Sequence, residues 1–206
     1  MLRSVSVSTI RRMRLYDVVL FLHILTLLVA FGLGITLHHA EWSTRTARTV
    51  GELRTITGVY RRGTFFPVLI VLLFVGGAEL VHLSKKNGEE FHFGDAWVWT
   101  ALVSLVILMV SGGAVLGRHA TRYAKLLAAT PDGAITPEVR AATFEPLTWA
   151  TSHMNTALAI AVVFNMVTKP SDDLSAIGAL AVGIVVGSLV GIVGARGGAG
   201  APAGQP

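Results

Sequence analysis

Hydrophobic and polar positions separate along this chain into long apolar runs joined by short charged segments, and five of the runs are about as long as a bilayer is thick. They cover Asp17–Leu37, Thr64–Leu83, Ala96–Gly117, Thr151–Thr168 and Leu174–Ala195. A helix rises 1.5 Å per residue, so ~20 residues cross a hydrocarbon core of roughly 30 Å. In lipid the backbone can be satisfied only within helices or a closed barrel. The runs are continuously apolar instead of alternating, which selects helices. The pattern predicts an all-α fold, a polytopic membrane helical bundle with five transmembrane helices.

The connections have patterns of their own. Between the first two spans, Val50, Leu53, Ile56 and Val59 recur every three or four residues among arginines, which predicts an amphipathic helix lying at the membrane surface. Residues 118–129 read as an extension of the third helix beyond the membrane. Thr130-Pro-Asp-Gly133 is a turn signal, and Thr136 before Pro137 is a cap followed by proline, which starts a further short helix. Residues 1–16 form a basic tail, 17–196 the transmembrane helical domain, and 197–206 a Gly-, Ala- and Pro-rich tail expected to be disordered. Met13, just before the first span, makes a natural start. The first apolar core is too long for a removable signal, so it reads as a retained helix.

Composition agrees with membrane residence: 52% of residues are hydrophobic, 14% are charged, and the mean hydropathy is +0.64. With no Cys, disulfides, thiolate metal sites and thiol redox chemistry are excluded. The formal charge of +5 resides in tails and loops, where it serves topology and lipid headgroups and gives no reason to expect nucleic acid. Five spans put the termini on opposite faces, here named A for the N-terminal side and B for the other. Face A receives seven Lys and Arg residues and face B ten. The positive-inside rule then places the N-terminus outside and the C-terminus inside.

Ionisable groups inside spans are costly and mark candidate sites. His23 stands six residues into the first span, about 9 Å deep. Glu79 and His82, three apart on one helical face, lie toward the end of the second span, and Asn165 lies toward the end of the fourth. Alternating chain direction brings all four toward face A. A carboxylate with two imidazoles suits a metal, with His23 and His82 as ligands, a proton relay, or a quinone headgroup, and two facing His residues suit haem iron. Gly32, Gly34, Gly76 and Gly77 allow close helix approach or room for a flat ring. His38, His39, His119 and His153 gather toward face B and read as headgroup residues, with His153 and Asn155 offering a second polar site there. Trp42 and Trp149 near face B, and Trp97 and Trp99 near face A, read as aromatic belts. Gly183, Gly187 and Gly191 recur every four residues in the fifth span. That is a helix-packing stripe for another span or for a second copy in a homo-oligomer.

At Tyr16-Asp-Val-Val-Leu-Phe-Leu-His23-Ile-Leu, followed by Gly32-x-Gly34, the chain resembles a bacterial family of integral membrane proteins of unknown function. The same opening is similar to the first helix of the copper-resistance protein D group and of the HemJ-type protoporphyrinogen oxidases. It departs from the HemJ type in lacking the Trp and Arg pattern that follows. The resemblance implies a bacterial plasma membrane protein and, in its haem-linked members, haem ligation by the residue at His23. Haem b, copper or a quinone, in a pocket between the first, second and fourth spans, are therefore the ligands to test. A small proton-coupled permease working through Glu79, or a structural assembly protein without chemistry, are the alternatives.

Overall fold

The structure is a computed structural model that describes residues 14–59, 65–85, 88 and 91–199. The tail through Met13, the last seven residues, and Arg61, Arg62 and Lys86 of the charge count lie outside the described residues. Among the described residues, eight α-helices follow in order: α1 (Leu15–Ser43), α2 (Val50–Gly58), α3 (Phe66–Ser84), α4 (Ala96–Ser111), α5 (Arg118–Ala129), α6 (Pro137–Thr143), α7 (Pro146–Thr168) and α8 (Asp173–Ala199). A π-helix, Gly112–Gly117, joins α4 to α5 without a break. Five helical segments among the described residues are long and apolar enough to span a membrane: α1, α3, the continuous α4–α5 rod, α7 with the short α6 before it, and α8.

Local chemistry sets the boundaries. The Thr136 hydroxyl accepts a hydrogen bond from Val139 N–H and Pro137 opens α6, as the cap-then-proline pattern predicts. Lys169 closes α7 in the left-handed region at φ 47°, its N–H donating to Asn165 O at 2.8 Å. Asp172 Oδ1 accepts from Ser175 N–H at 2.8 Å before α8, and that bond holds the Asp172 carboxyl below the usual range. Two ends run further than expected. α1 continues six residues past Leu37, and Ala40 and Glu41 on that extension are buried. α8 continues to Ala199, into the tail expected to be disordered, because Gly198 seats against the Phe144 ring.

The most extensive contact is between α7 and α8, followed by α1 with α3 and α4 with α7. Small residues make the first of these possible. A Cβ added at Gly187 would stand 2.6 Å from His153 O, and one at Gly183 2.9 Å from Ala157 O; Gly191 lies against Trp149 O and Ala150 Cα. Backbones at this distance admit nothing larger than glycine. The partner of the stripe is thus α7 of the same chain, and the stripe gives no argument for a second copy. The opposite side of α8 presents Val182, Val185, Val186, Leu189 and Val193 outward, a surface that suits acyl chains.

The bundle core gathers Ile70, Leu108, Leu158, Ala161, Val162 and Leu180. A second core lies on the face B side, where Val50 and Leu53 of α2 meet Tyr123 and Leu127 of α5 and Val139 of α6. This corrects the surface-lying reading of α2. Val50 and Leu53 are fully buried against protein, so its apolar side is covered by α5 and α6 and not by lipid. The turn at 130–133 holds this cap together: Asp132 Oδ1 accepts from Gly51 N–H at 2.7 Å and Gly133 O from Val50 N–H at 2.9 Å. Arg54 donates to Leu127 O at 2.8 and 3.0 Å and also to Thr130 O, which satisfies the last carbonyls of α5.

Candidate functional site

On the face A side, His23 is buried, with its ring lying on the two glycines of α3. A Cβ at Gly76 would sit 3.2 Å from His23 Nδ1, and one at Gly77 3.6 Å from Cε1. The flat ring that these glycines accommodate is the imidazole itself. Nδ1 has no hydrogen-bond partner among the described residues. Glu79, one turn further toward face A, is half-buried, while His82 is exposed. Asn165 is fully buried and donates from Nδ2 to Ala176 O at 2.9 Å, joining α7 to α8. Among the described residues no hydrogen bond or ion pair links His23, Glu79, His82 and Asn165 to one another. The structure brings His23 to α3, but engages Asn165 with α8.

A denser polar centre lies near face B, between the last turns of α1 and the first half of α7. His38 is 15 residues beyond His23 on the same helix, about 22 Å along its axis. Its Nδ1 lies 3.0 Å from Glu41 Oε2, and its Nε2 contacts Thr156 Oγ1. Glu41 is buried, and the same Oε2 accepts from the Ser152 hydroxyl at 3.0 Å and stands 4.0 Å from His153 Nδ1. His153 Nδ1 is also 3.0 Å from Trp149 O, and the His38 and His153 rings approach to 4.9 Å. One ligand atom each from His38, Glu41 and His153 falls within 4.8 Å of the others.

The residues that flank this centre close it toward face B. Trp149 is buried, with its Nε1–H donating to Thr143 O at 2.9 Å, and its ring stacks on His153 at 5.7 Å. The aromatic-belt reading therefore fails for Trp149, which is held inside the protein by Phe144 and α8, while Trp42 is 48% exposed. The Arg45 guanidinium lies over the Trp42 ring at 3.8 Å and donates to Gly194 O at 2.7 Å. That contact anchors the end of α1 to α8. His119, on the rod, pairs separately with Glu145 at 2.7 Å. Asn155 Oδ1 accepts from the Ser111 hydroxyl at 2.8 Å, so Asn155 ties α7 to α4 and does not join His153.

Two imidazoles and a carboxylate at this separation form a donor set for a transition metal. Ligands about 2.1 Å from a shared ion stand at most about 4.2 Å apart, so small side-chain rotations close a three-ligand shell. The Ser152 and Thr156 hydroxyls lie beside it as further oxygen donors. The sequence carried a signal for this centre. His38 and Glu41 are three apart, and Trp149, Ser152, His153 and Thr156 share one side of α7. The apolar run ends at Leu37, so from sequence Glu41 falls in a loop and only the histidines gather toward face B; the helix in fact continues to Ser43.

A bundle of five bilayer-length helices with ionisable residues buried between them defines the class, a polytopic integral membrane protein. The chain belongs to the DUF2269 family of predicted integral membrane proteins, which matches residues 17–170 and so covers α1 through α7. No curated protein and no solved structure matches it.

Proposed function

We propose that the protein binds a transition metal ion between α1 and α7 near face B, held by His38, Glu41 and His153. The observation that carries this reading is the convergence of His38 and His153 on the buried Glu41 carboxylate. Imidazole with carboxylate suits zinc, copper(II), nickel or iron, and three protein ligands leave a position open for water or a substrate group. Glu41 is the one carboxylate among these ligands, and a carboxylate ligand offsets part of the charge of a divalent ion. Because imidazole must be deprotonated to ligate, binding weakens as the solution is acidified.

Full-length protein, purified in detergent and equilibrated with each metal ion separately, tests the reading by elemental analysis after removal of free ion. About one ion per chain is expected, with loss in Glu41→Gln and in His153→Ala. Equal metal content in the wild type and a folded His38→Ala/His153→Ala variant would refute it.

A second reading rests on the buried, unbonded Nδ1 of His23. It assigns haem or a quinone headgroup to the face A side of α1 and α3, with Glu79 as the neighbouring proton carrier, and keeps the likeness of the first helix to haem-linked families. Its test is a Soret band in the purified protein that disappears in His23→Ala. Proton-coupled uptake lost in Glu79→Gln would favour a permease instead. With the more positive face inside, the metal centre lies on the cytoplasmic side of a bacterial plasma membrane.

A further inference from the structure

The six-residue π-helix between α4 and α5 is rich in glycine, and a Cβ built on Gly112 or Gly113 meets no atom within 4 Å. An open groove of about 620 Å³ runs along this segment. Val115 and Leu147 contribute apolar lining, and Arg118, Thr121, Arg122 and Glu145 contribute polar lining. From Ala96 to Arg118 is 22 residues, roughly 33 Å of helix, so the arginines stand just past a hydrocarbon core of about 30 Å. They are at headgroup depth.

The charges of the groove are not balanced. Arg118 and Arg122 are one turn apart and project to the same side of α5. The Arg118 guanidinium makes no hydrogen bond or ion pair among the described residues. Among the described residues Arg122, its side chain 72% exposed, makes one ion pair, to Glu145 at 3.8 Å. Glu145 is already engaged, lying 2.7 Å from His119 Nδ1 and accepting from the Thr148 hydroxyl at 2.6 Å. The groove therefore sets two guanidinium groups, one without a partner among the described residues and one loosely paired, against a single carboxylate whose Oε2 is already engaged. Guanidinium forks match phosphate oxygens, and the apolar lining continues toward the bilayer.

We propose that this groove holds the headgroup of an anionic phospholipid from the face B leaflet. Its phosphate lies between Arg118 and Arg122, and an acyl chain lies against Val115 and Leu147. The site is separate from the His38–Glu41–His153 centre and does not depend on a metal.

The full chain, reconstituted in bilayers of phosphatidylglycerol with phosphatidylcholine or with phosphatidylethanolamine and then extracted, is examined by native mass spectrometry for retained lipid. Phosphatidylglycerol is expected to be retained in preference to both partners. Arg118→Gln/Arg122→Gln is expected to lower that retention by about tenfold or more, and Arg48→Gln, an exposed arginine of the cap, to leave it unchanged. A single Arg118→Gln variant, which leaves the Arg122–Glu145 contact in place, should show an intermediate loss. Equal retention in the double variant overturns the proposal, as does equal retention of the ethanolamine lipid. Saturable binding of inorganic phosphate by lipid-free protein, with no preference among lipids, would assign the groove to a soluble phosphate compound and overturn it too.

Discussion

The Glu41 carboxylate of α1 accepts a hydrogen bond from the Ser152 hydroxyl of α7 at 3.0 Å, across 111 positions of sequence. Together with the contact of His38 with Thr156, it joins the first span to the fourth near face B. Interhelical hydrogen bonds in bilayers are worth about 0.6 kcal/mol on average and up to about 1.7. Glu41→Ala removes the acceptor and leaves buried partners unpaired, so it should destabilise by about 1–3 kcal/mol. Glu41→Gln keeps a hydrogen-bond acceptor and should cost less. Reversible unfolding in mixed micelles reads both, and equal losses would show that the charge itself holds the helices together.

Gly187→Ala should be strongly destabilising, because the added methyl would stand 2.6 Å from His153 O and 2.7 Å from Met154 Cα, both backbone atoms that have no free rotation. Overpacking of this kind costs about 1–3 kcal/mol where the structure can adjust, and more where it cannot. Gly178→Ala, on the same helix but with nothing within 4 Å, should be neutral or slightly stabilising through helix propensity. Thermal denaturation of the two variants side by side is the measurement. Similar melting temperatures would mean that α8 does not rest on α7 through its glycines.

His23 and Gly76 form a size-matched pair, so their substitutions should not add. His23→Ala opens a hollow over α3, and Gly76→Ala puts a methyl 3.2 Å from the ring. Each alone should cost about 1–3 kcal/mol. The double variant should recover part of the loss, since the new methyl enters the space left by the imidazole. A double-mutant cycle with no coupling would rule out the packing described for this pair.

The cap should be separable from the spans. Leu53 is fully buried among Val50, Tyr123, Leu127 and Val139, and Leu53→Ala should cost about 2–5 kcal/mol within that small core. Limited proteolysis is expected to cut the variant between residues 44 and 65 or between 118 and 145, with the apolar helices left intact. Cleavage within the α7–α8 hairpin instead would mean that cap and bundle melt as one unit.

Much of this architecture was legible in the sequence, and the parts that were not share a cause. Continuous apolarity identifies a span without its partners, so five helices could be read from composition, while the contact of α1 with α3 and the seating of α8 on α7 needed coordinates. Short-range signals survived well, as the Thr136–Pro137 start of α6 shows. Signals that depend on what covers a side chain did not. The apolar stripe of α2 suits lipid and protein equally, and only the presence of Tyr123 and Leu127 decides between them. At the candidate site, direction of travel placed His23, Glu79, His82 and Asn165 near one face, but depth does not give azimuth. His82 turns outward and Asn165 faces α8. The same reasoning gathers His38 and His153 toward face B, but it pairs His153 with Asn155, which bonds Ser111 instead, and it leaves Glu41 in a loop because the apolar run ends at Leu37.

The π-helix at Gly112–Gly117 also fixes a phase. An α-helix advances about 100° per residue, so one residue more or less in a wide turn rotates everything beyond it by that angle. Ahead of the π-helix the rod turns Leu108 toward the bundle core, and behind it Tyr123 and Leu127 toward the cap. The segment works as an angular spacer between two cores that one rigid rod must serve. Deleting a single residue from it would preserve helicity, apolarity and very nearly length, yet would swing the cap's aromatic side away from Val50 and Leu53.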